Sequence, residues 1–250
     1  MALRLSCTLT KFSKFLVINQ RCISTANKTK PLYKREEAKK FKFYVVNRHL
    51  LCSHFWNLQQ KSEFRIMILQ QRLVHNRPVF RRLQAPLPQL KENPLYNKWN
   101  GILASLGSGS HPSTEDIIAC KGLFMGKPFH LFYLSGNHMK HLLLMHDMHR
   151  ISFKRSRLAE RAAILMAIDK AILREGGLEH MSTEALRTAC LMRGLNPSNM
   201  KNDDMIKWLQ AWLTISNVVD KDSLSLLLHC PILLAYNHPS NWQLIYKFNK

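Results

Sequence analysis

Apolar residues recur at helical spacing along most of this chain. The longest periodic run covers 157–175, and Gly176-Gly177 follows it as a stop signal. Its apolar positions lie three or four residues apart: Leu158, Ala162, Leu165, Ile168 and Ile172. Alternating patterns bounded by hairpin turns, which are typical of strands, are missing. The pattern therefore predicts an all-α fold.

Two shorter helices are predicted between 178 and 216. Ser182 is a natural N-cap, and Gly194 suits the left-handed position that ends a helix. Between them, helical spacing places four residues along one stripe: Leu186, Ala189, Cys190 and Arg193. Asn202 and the two aspartates after it open the second helix. Its apolar face consists of Met205, Trp208, Leu209, Trp212 and Leu213. We expect both helices to pack into the core.

Further helices are predicted on either side of this pair. One passes through Phe64 and ends near His75, and another is capped by Ser113 with Asp116 three residues later. The apolar face of the second consists of Ile117, Cys120 and Phe124. A last helix is expected to begin at Asp222 or Ser223 and to end near Cys230-Pro231, because proline disrupts a helix interior.

Charge is distributed unevenly over the 250 residues. The formal net charge is +21, and residues 1–100 contribute +16 of it, with 20 Lys/Arg against 4 Asp/Glu. Residues 101–250 carry only +5. A basic surface of this kind suits an anionic partner, such as ribosomal RNA, another nucleic acid or anionic lipid.

The first 35 residues contain no acidic side chain and are rich in Ser and Thr. This composition predicts a mitochondrial transit peptide over 1–23, with cleavage before Ser24. A secretory signal and a plain basic tail are the alternatives, although Lys11 and Lys14 interrupt any apolar core of a signal. We expect a basic, partly disordered N-terminal region, with a basic linker and a helix over 24–74, ahead of a single multi-helix domain over 75–250. The protein is expected in mitochondria, at the inner membrane as a peripheral or single-span protein, or in the matrix.

No membrane span is evident in the sequence. The longest stretch without Asp, Glu, Lys or Arg is 223–246, and its most apolar part, 224–236, has only 13 residues. A helix needs about 20 apolar residues to cross a bilayer. We therefore expect this stretch to be a buried helix.

No catalytic or cofactor chemistry is indicated. The six cysteines have no CxxC spacing, so buried free thiols are expected rather than disulfides. Four histidines, His138, His141, His146 and His149, raise the question of a metal site, but the five-residue middle step turns the second pair away. Solvated or partly packed histidines are the prediction. No nucleotide-binding or hydrolase motif occurs, so neither an enzyme nor a cofactor is predicted.

The segment Met181–Leu195 resembles the pattern LT-x-x-E-L-x-x-A-C-x-x-R-G-L of the ribosome-binding-type domain in the Letm family. Residues 208–213 and 223–229 also fit. The likeness is to shorter members that lack a leucine zipper and an EF-hand. It implies a non-catalytic, mitochondrial inner-membrane protein that binds the mitochondrial ribosome and supports mitochondrial organisation or respiratory function. Two departures are Ala185, at a usually acidic position, and 41–48, where the family's transmembrane span is lost or shortened.

The predicted partner is the mitochondrial ribosome, with anionic inner-membrane lipid as a further partner of the basic segment. No small-molecule substrate is evident. The residues predicted to be exposed and to contact ribosome or RNA are Arg187, Arg193, Lys201 and Lys207. Two alternatives remain open. One is a SAP-like nucleic-acid-binding module, suggested by helix–Arg-Gly-Leu–helix, and the other is a cation/proton exchange component by family analogy.

Overall fold

A computed structural model describes residues 58–150 and 152–246. The predicted transit peptide, the predicted basic linker before residue 58 and residues 41–48, where the family's span was expected to be lost, lie outside the described residues. The chain divides into two compact units, Met1–Phe64 and Arg65–Lys250. The fold described below is that of the second unit.

The described residues form α-helices joined by short turns and two 3-10 segments, so the all-α prediction is confirmed. The α-helices are α1 (Leu58–Leu73), α2 (Asn76–Gln84), α3 (Tyr96–Gly107), α4 (Thr114–Ala119), α5 (Gly122–Met125), α6 (Gly136–Met145), α7 (Lys154–Arg174), α8 (Thr183–Met192), α9 (Asn202–Val218), α10 (Leu224–Ala235) and α11 (Pro239–Tyr246). The 3-10 segments are Leu87–Leu90 and Leu178–His180.

Helix α10 lies at the centre of the core. It packs against α2, α5, α7 and α9, and all residues from Ser225 to Ala235 are buried. The predicted end near Cys230-Pro231 is wrong, because Pro231 lies inside the helix. An internal proline costs about 3 kcal/mol, whereas each fully buried Ile or Leu stabilises the fold by about 1.5–3 kcal/mol. Burial of Ile232, Leu233 and Leu234 therefore outweighs the proline.

Helix α11 was not predicted, since α10 was expected to be the last helix. It is attached to the loop after α8 by two buried asparagines. Asn241 accepts a hydrogen bond from the backbone N–H of Asn196 at 2.8 Å and donates to the Gly194 carbonyl at 3.0 Å. Asn196 in turn donates to the Ser240 carbonyl at 2.8 Å. These side chains satisfy loop groups that regular structure leaves unpaired.

The termini of α8 follow the sequence prediction closely. Ser182 accepts a hydrogen bond from the Ala185 backbone N–H, and Gly194 has a φ of +92°. The Leu195 N–H donates to the Cys190 carbonyl at 3.0 Å, and the Gly194 N–H donates to the Leu191 carbonyl at 3.2 Å. This pair of bonds is a Schellman motif, which satisfies carbonyls at the helix end.

Most of the predicted apolar positions lie in the core. The faces of α8 and α9 are buried, and so are Ile117, Cys120 and Phe124. The free thiols predicted for Cys120, Cys190 and Cys230 are confirmed, and burial raises the pKa of Cys120 to about 11. Within residues 58–150 and 152–246, no helix combines the length and hydropathy needed to cross a bilayer.

Candidate partner-binding surface

A buried ion pair joins α7 to the end of α8. The Arg193 guanidinium donates to the Asp169 carboxylate, and both side chains are almost completely buried. Asp169 also accepts hydrogen bonds from Trp212 Nε1 at 3.0 Å and Ser216 Oγ at 2.5 Å, both on α9. Three donors from two elements therefore satisfy one carboxylate, as a buried charge requires.

The predicted exposure of Arg193 is wrong, because its relative exposure is 1%. Its guanidinium carbon lies 5.6 Å from the centre of the Trp212 ring, and one of its nitrogens donates to the Ala189 carbonyl. Helical spacing had placed Arg193 on the same stripe as Leu186 and Cys190. That spacing was the signal for burial, and the positive charge obscured it. Arg193 stabilises the fold and is unavailable to a partner.

Two more arginines lie at the end of α8. Arg72 donates to the carbonyls of Leu191 and Met192, and to that of Met145. Arg161 donates to the Met192 carbonyl at 3.4 Å. Desolvation, together with the charge of Arg72, lowers the pKa of Arg161 to about 10. Cations at a helix C-terminus interact favourably with its exposed carbonyls and its dipole. These arginines therefore have a structural role.

The other three predicted contact residues are exposed. Arg187 lies on α8, Lys201 precedes α9 and Lys207 lies on α9. Asn202 donates to Thr183 Oγ1 at 2.9 Å, which brings the first residues of the two helices together.

This end of the α8–α9 pair is also acidic. Glu184 lies in the first turn of α8, and Asp203 and Asp204 lie in the first turn of α9. These carboxylates stabilise the N-terminal ends of the two helices. They also offset the positive charge that would attract phosphate. The predicted residues Arg187, Lys201 and Lys207 therefore stand on an electrically mixed surface, and their role as contacts stays a prediction.

A more strongly basic surface lies on α2, α6 and the loop after α6. We call it the cationic surface, and its members are Arg77, Arg81, Arg82, Lys140 and Arg150. Residues 64–91 contain no acidic residue, and among the described residues none of the five forms an ion pair. Arg77 and Arg81 are one turn apart on α2, and both are exposed. The sequence prediction missed this surface because its parts are distant in the chain.

A histidine pair connects the two helices beneath this surface. The Nδ1 atoms of His75 and His141 are 3.4 Å apart. Desolvation, together with the charges of His141, Arg150 and Lys140, lowers the pKa of His75 to about 4. Desolvation also lowers the pKa of His141, and the charges of Lys140 and Arg82 contribute. Both histidines are therefore neutral near pH 7, and the positive charge belongs to the arginines and Lys140.

Two of the four histidines expected to be solvated or partly packed, His138 and His146, are buried instead. His138 pairs with His229, which is also buried. His229 Nδ1 lies 2.6 Å from the Ser225 carbonyl, so this nitrogen donates, and its Nε2 accepts from His138 Nε2 at 2.9 Å. His146 Nε2 donates to the Leu228 carbonyl at 2.9 Å. Mainly through desolvation, the pKa falls to about 4 for His229 and about 2 for His138. These neutral rings connect α6 to α10.

No group of three or more His, Cys, Asp or Glu side chains in the described part of the chain is arranged to hold a metal ion. The His138–His229 and His75–His141 contacts are pairs, and the second nitrogen of His229 donates to the Ser225 carbonyl.

Comparison with known proteins gives a consistent result. A family model described as "LETM1-like, RBD" matches residues 43–233. LETM1 domain-containing protein 1 of Xenopus tropicalis is 31% identical over 198 residues, which cover 78% of this chain and 56% of that protein. The Homo sapiens protein of the same name is 28% identical, over 78% of this chain and 55% of that protein. The chain thus spans about half the length of the curated relatives it matches. No solved structure matches it.

Proposed function

The chain belongs to the LETM1-like, RBD family, and from that premise we propose that it binds the mitochondrial ribosome as a non-catalytic protein. The observation that carries the proposal is the cationic surface, whose five cations lie on two packed helices and the loop after α6 and have no ion-pair partners among the described residues. This is the charge that a partner rich in phosphate requires.

The mechanism of binding would be electrostatic. Exposed Arg77 and Arg81 are free to contact RNA phosphates, and arginine can bind a phosphate through two parallel hydrogen bonds. Each phosphate contact releases condensed counterions, so affinity falls as salt rises. The helical core holds α2 rigid, because Val79, Phe80 and Leu83 are buried on its opposite side.

Purified protein and mitochondrial ribosomes test the proposal by co-sedimentation over a series of salt concentrations. The test variant is the triple Arg77→Gln, Arg81→Gln and Arg82→Gln. The plot of log K against log salt has a negative slope, and loss of three phosphate contacts should make that slope shallower by about 2 to 3. The control is Lys170→Gln, Arg174→Gln and Lys221→Gln, which removes the same charge from exposed positions elsewhere.

Two results would refute parts of this proposal. Equal slopes for the two triple variants would eliminate the cationic surface as the contact. Absence of ribosome binding by the unaltered protein at low salt would eliminate the function itself. A third triple variant, Arg187→Gln, Lys201→Gln and Lys207→Gln, tests the contact predicted from sequence, and we expect a smaller change because acidic neighbours offset those charges.

We further propose that the protein resides in mitochondria, at the inner membrane or in the matrix. Family membership and the acid-free composition of residues 1–35 support this location. Attachment of the basic N-terminal segment to anionic inner-membrane lipid would place the domain beside membrane-bound ribosomes. Support of mitochondrial organisation or respiratory function would follow from that position. Carbonate extraction of mitochondria tests the peripheral form, which should be released to the supernatant.

A further inference from the structure

Bulky aromatic side chains protrude from one part of the folded unit. Phe132 is 63% exposed, Tyr133 is 48% exposed and Phe153 is 81% exposed. The first two lie in the loop before α6, and Phe153 immediately precedes α7. Large apolar residues at such exposure indicate a surface that a partner covers.

One cation–π contact joins the loop to the start of α7, and a second lies within the loop. The Arg155 guanidinium carbon is 5.2 Å from the centre of the Phe132 ring, and Lys127 Nζ is 5.3 Å from that of Tyr133. Phe132 and Tyr133 contact each other edge to face at 5.3 Å. Phe153 is two residues from Arg155 in the chain. We call Lys127, Phe132, Tyr133, Phe153 and Arg155 the aromatic–cationic patch.

Phe153 adopts a conformation that its own packing does not explain. Its φ is +58°, in the left-handed region, which a bulky residue rarely occupies. The side chain is nevertheless the most exposed of the large apolar residues in the described part of the chain. Backbone strain of this kind at an exposed aromatic residue points to a function outside the core.

The charge around the patch specifies an anionic partner. Residues 117–146 and 148–159 contain no Asp or Glu, and they carry seven Lys or Arg. Lys127 and Arg155 are exposed, and Lys154 is half-buried. The partner must therefore offer negative charge together with apolar material that accepts phenylalanine.

The ring contacts favour a lipid surface over single-stranded RNA. A base that stacked on Phe132 or Tyr133 would compete with the cations already placed over those rings. Insertion into a bilayer interface needs no such displacement, because the rings enter the acyl boundary while Lys127 and Arg155 remain level with the phosphates. We propose that the aromatic–cationic patch is a docking site for an anionic lipid bilayer.

Vesicle co-sedimentation of the full chain tests this proposal. Vesicles contain phosphatidylcholine alone or an equimolar mixture with phosphatidylglycerol. The N-terminal basic residues also attract anionic lipid, so each variant is compared with the unaltered chain at low and at elevated salt. Salt screens the purely electrostatic attraction, and the binding that remains reports apolar insertion.

Helix α7 supplies matched controls at its other end. The test variants are Phe132→Ala with Phe153→Ala, and Arg155→Gln. Leu173→Ala and Arg174→Gln are the controls, since both residues are exposed and lie about 30 Å along the helix from Phe153. We expect the double phenylalanine variant to lose about tenfold or more in binding to anionic vesicles. Arg155→Gln should lose about fivefold, and the controls should lose nothing.

Binding of a poly-uridine oligonucleotide is measured with the same variants, and far-UV circular dichroism checks that each remains folded. Two results would overturn the proposal. One is equal vesicle binding by the double phenylalanine variant and the unaltered chain at both salt concentrations. The other is weaker RNA binding with unchanged vesicle binding, which would identify the patch as a base-stacking surface. Neither result depends on ribosome binding, so this test is separate from that of the proposed function.

Discussion

The buried Asp169–Arg193 pair allows a quantitative test of how the fold is held together. Asp169→Asn keeps the shape of the side chain but removes its charge. The guanidinium of Arg193, which is fully buried, would then remain without a counter-charge. Removal of one partner from a buried pair costs about 3–5 kcal/mol. Domains of this kind are stable by about 5–15 kcal/mol, so the expected loss is a large fraction of the total.

Urea unfolding of the full chain, followed by far-UV circular dichroism, measures this loss. The single variant Arg193→Met should also destabilise, because Asp169 keeps only its bonds from Trp212 and Ser216. The double variant removes both charges, and its loss should be smaller than the sum of the two single losses by at least about 2 kcal/mol. Lys170→Gln, an exposed neighbour on α7, is the control and should change stability by less than about 0.5 kcal/mol. A loss below about 1 kcal/mol for Asp169→Asn, or strictly additive losses, would refute the reasoning.

Two further predictions concern the core. The pKa of His229 is about 4 in the folded protein against an ordinary value of 6.5, so the unfolded chain binds the proton more tightly. The stability that this group contributes is fully present above pH 6.5. As the pH falls from 6.5 to 4, the free energy of unfolding decreases by about 1.4 kcal/mol per pH unit. Urea midpoints should therefore decrease as pH falls through this range, and His229→Gln should flatten the dependence; an unchanged slope in that variant would contradict the assignment. Gly194→Ala should destabilise by about 1–2 kcal/mol, because φ is +92° and the new Cβ would lie 3.2 Å from Pro231 Cβ. Gly101→Ala, in α3 with open space around it, should instead stabilise by about 0.5–1 kcal/mol, and thermal melts that rank the two variants the other way would refute this account.

Local signals in the sequence were sufficient for much of the fold. Ser182 and Gly194 predicted the ends of α8, because capping depends on residues within one turn. The apolar stripe of α9 predicted its buried face for the same reason. Pro231 misled the prediction, because the cost of a proline is local whereas the burial that offsets it depends on the packing of four other helices. Tertiary packing therefore determines that the helix continues through Pro231.

The binding surface was harder to predict from sequence. Arg193 has the spacing of a core position, but a buried arginine needs a counter-charge. That counter-charge is Asp169, which is distant in the sequence and was not assigned as its partner. The cationic surface combines α2 with Lys140 and Arg150, and only the packing of α2 on α6 brings them together. Charge density along the chain indicated an anionic partner, but it could not indicate which cations remain unpaired.

Sedimentation of a mitochondrial lysate tests the central claim most directly. The protein is followed through sucrose gradients prepared at low and at high salt. Because its binding depends on phosphate contacts, the account predicts migration with a ribosomal subunit at low salt and release to the top of the gradient at high salt. Slow sedimentation at both salt concentrations, with intact ribosomal subunits present in the same gradients, would contradict it.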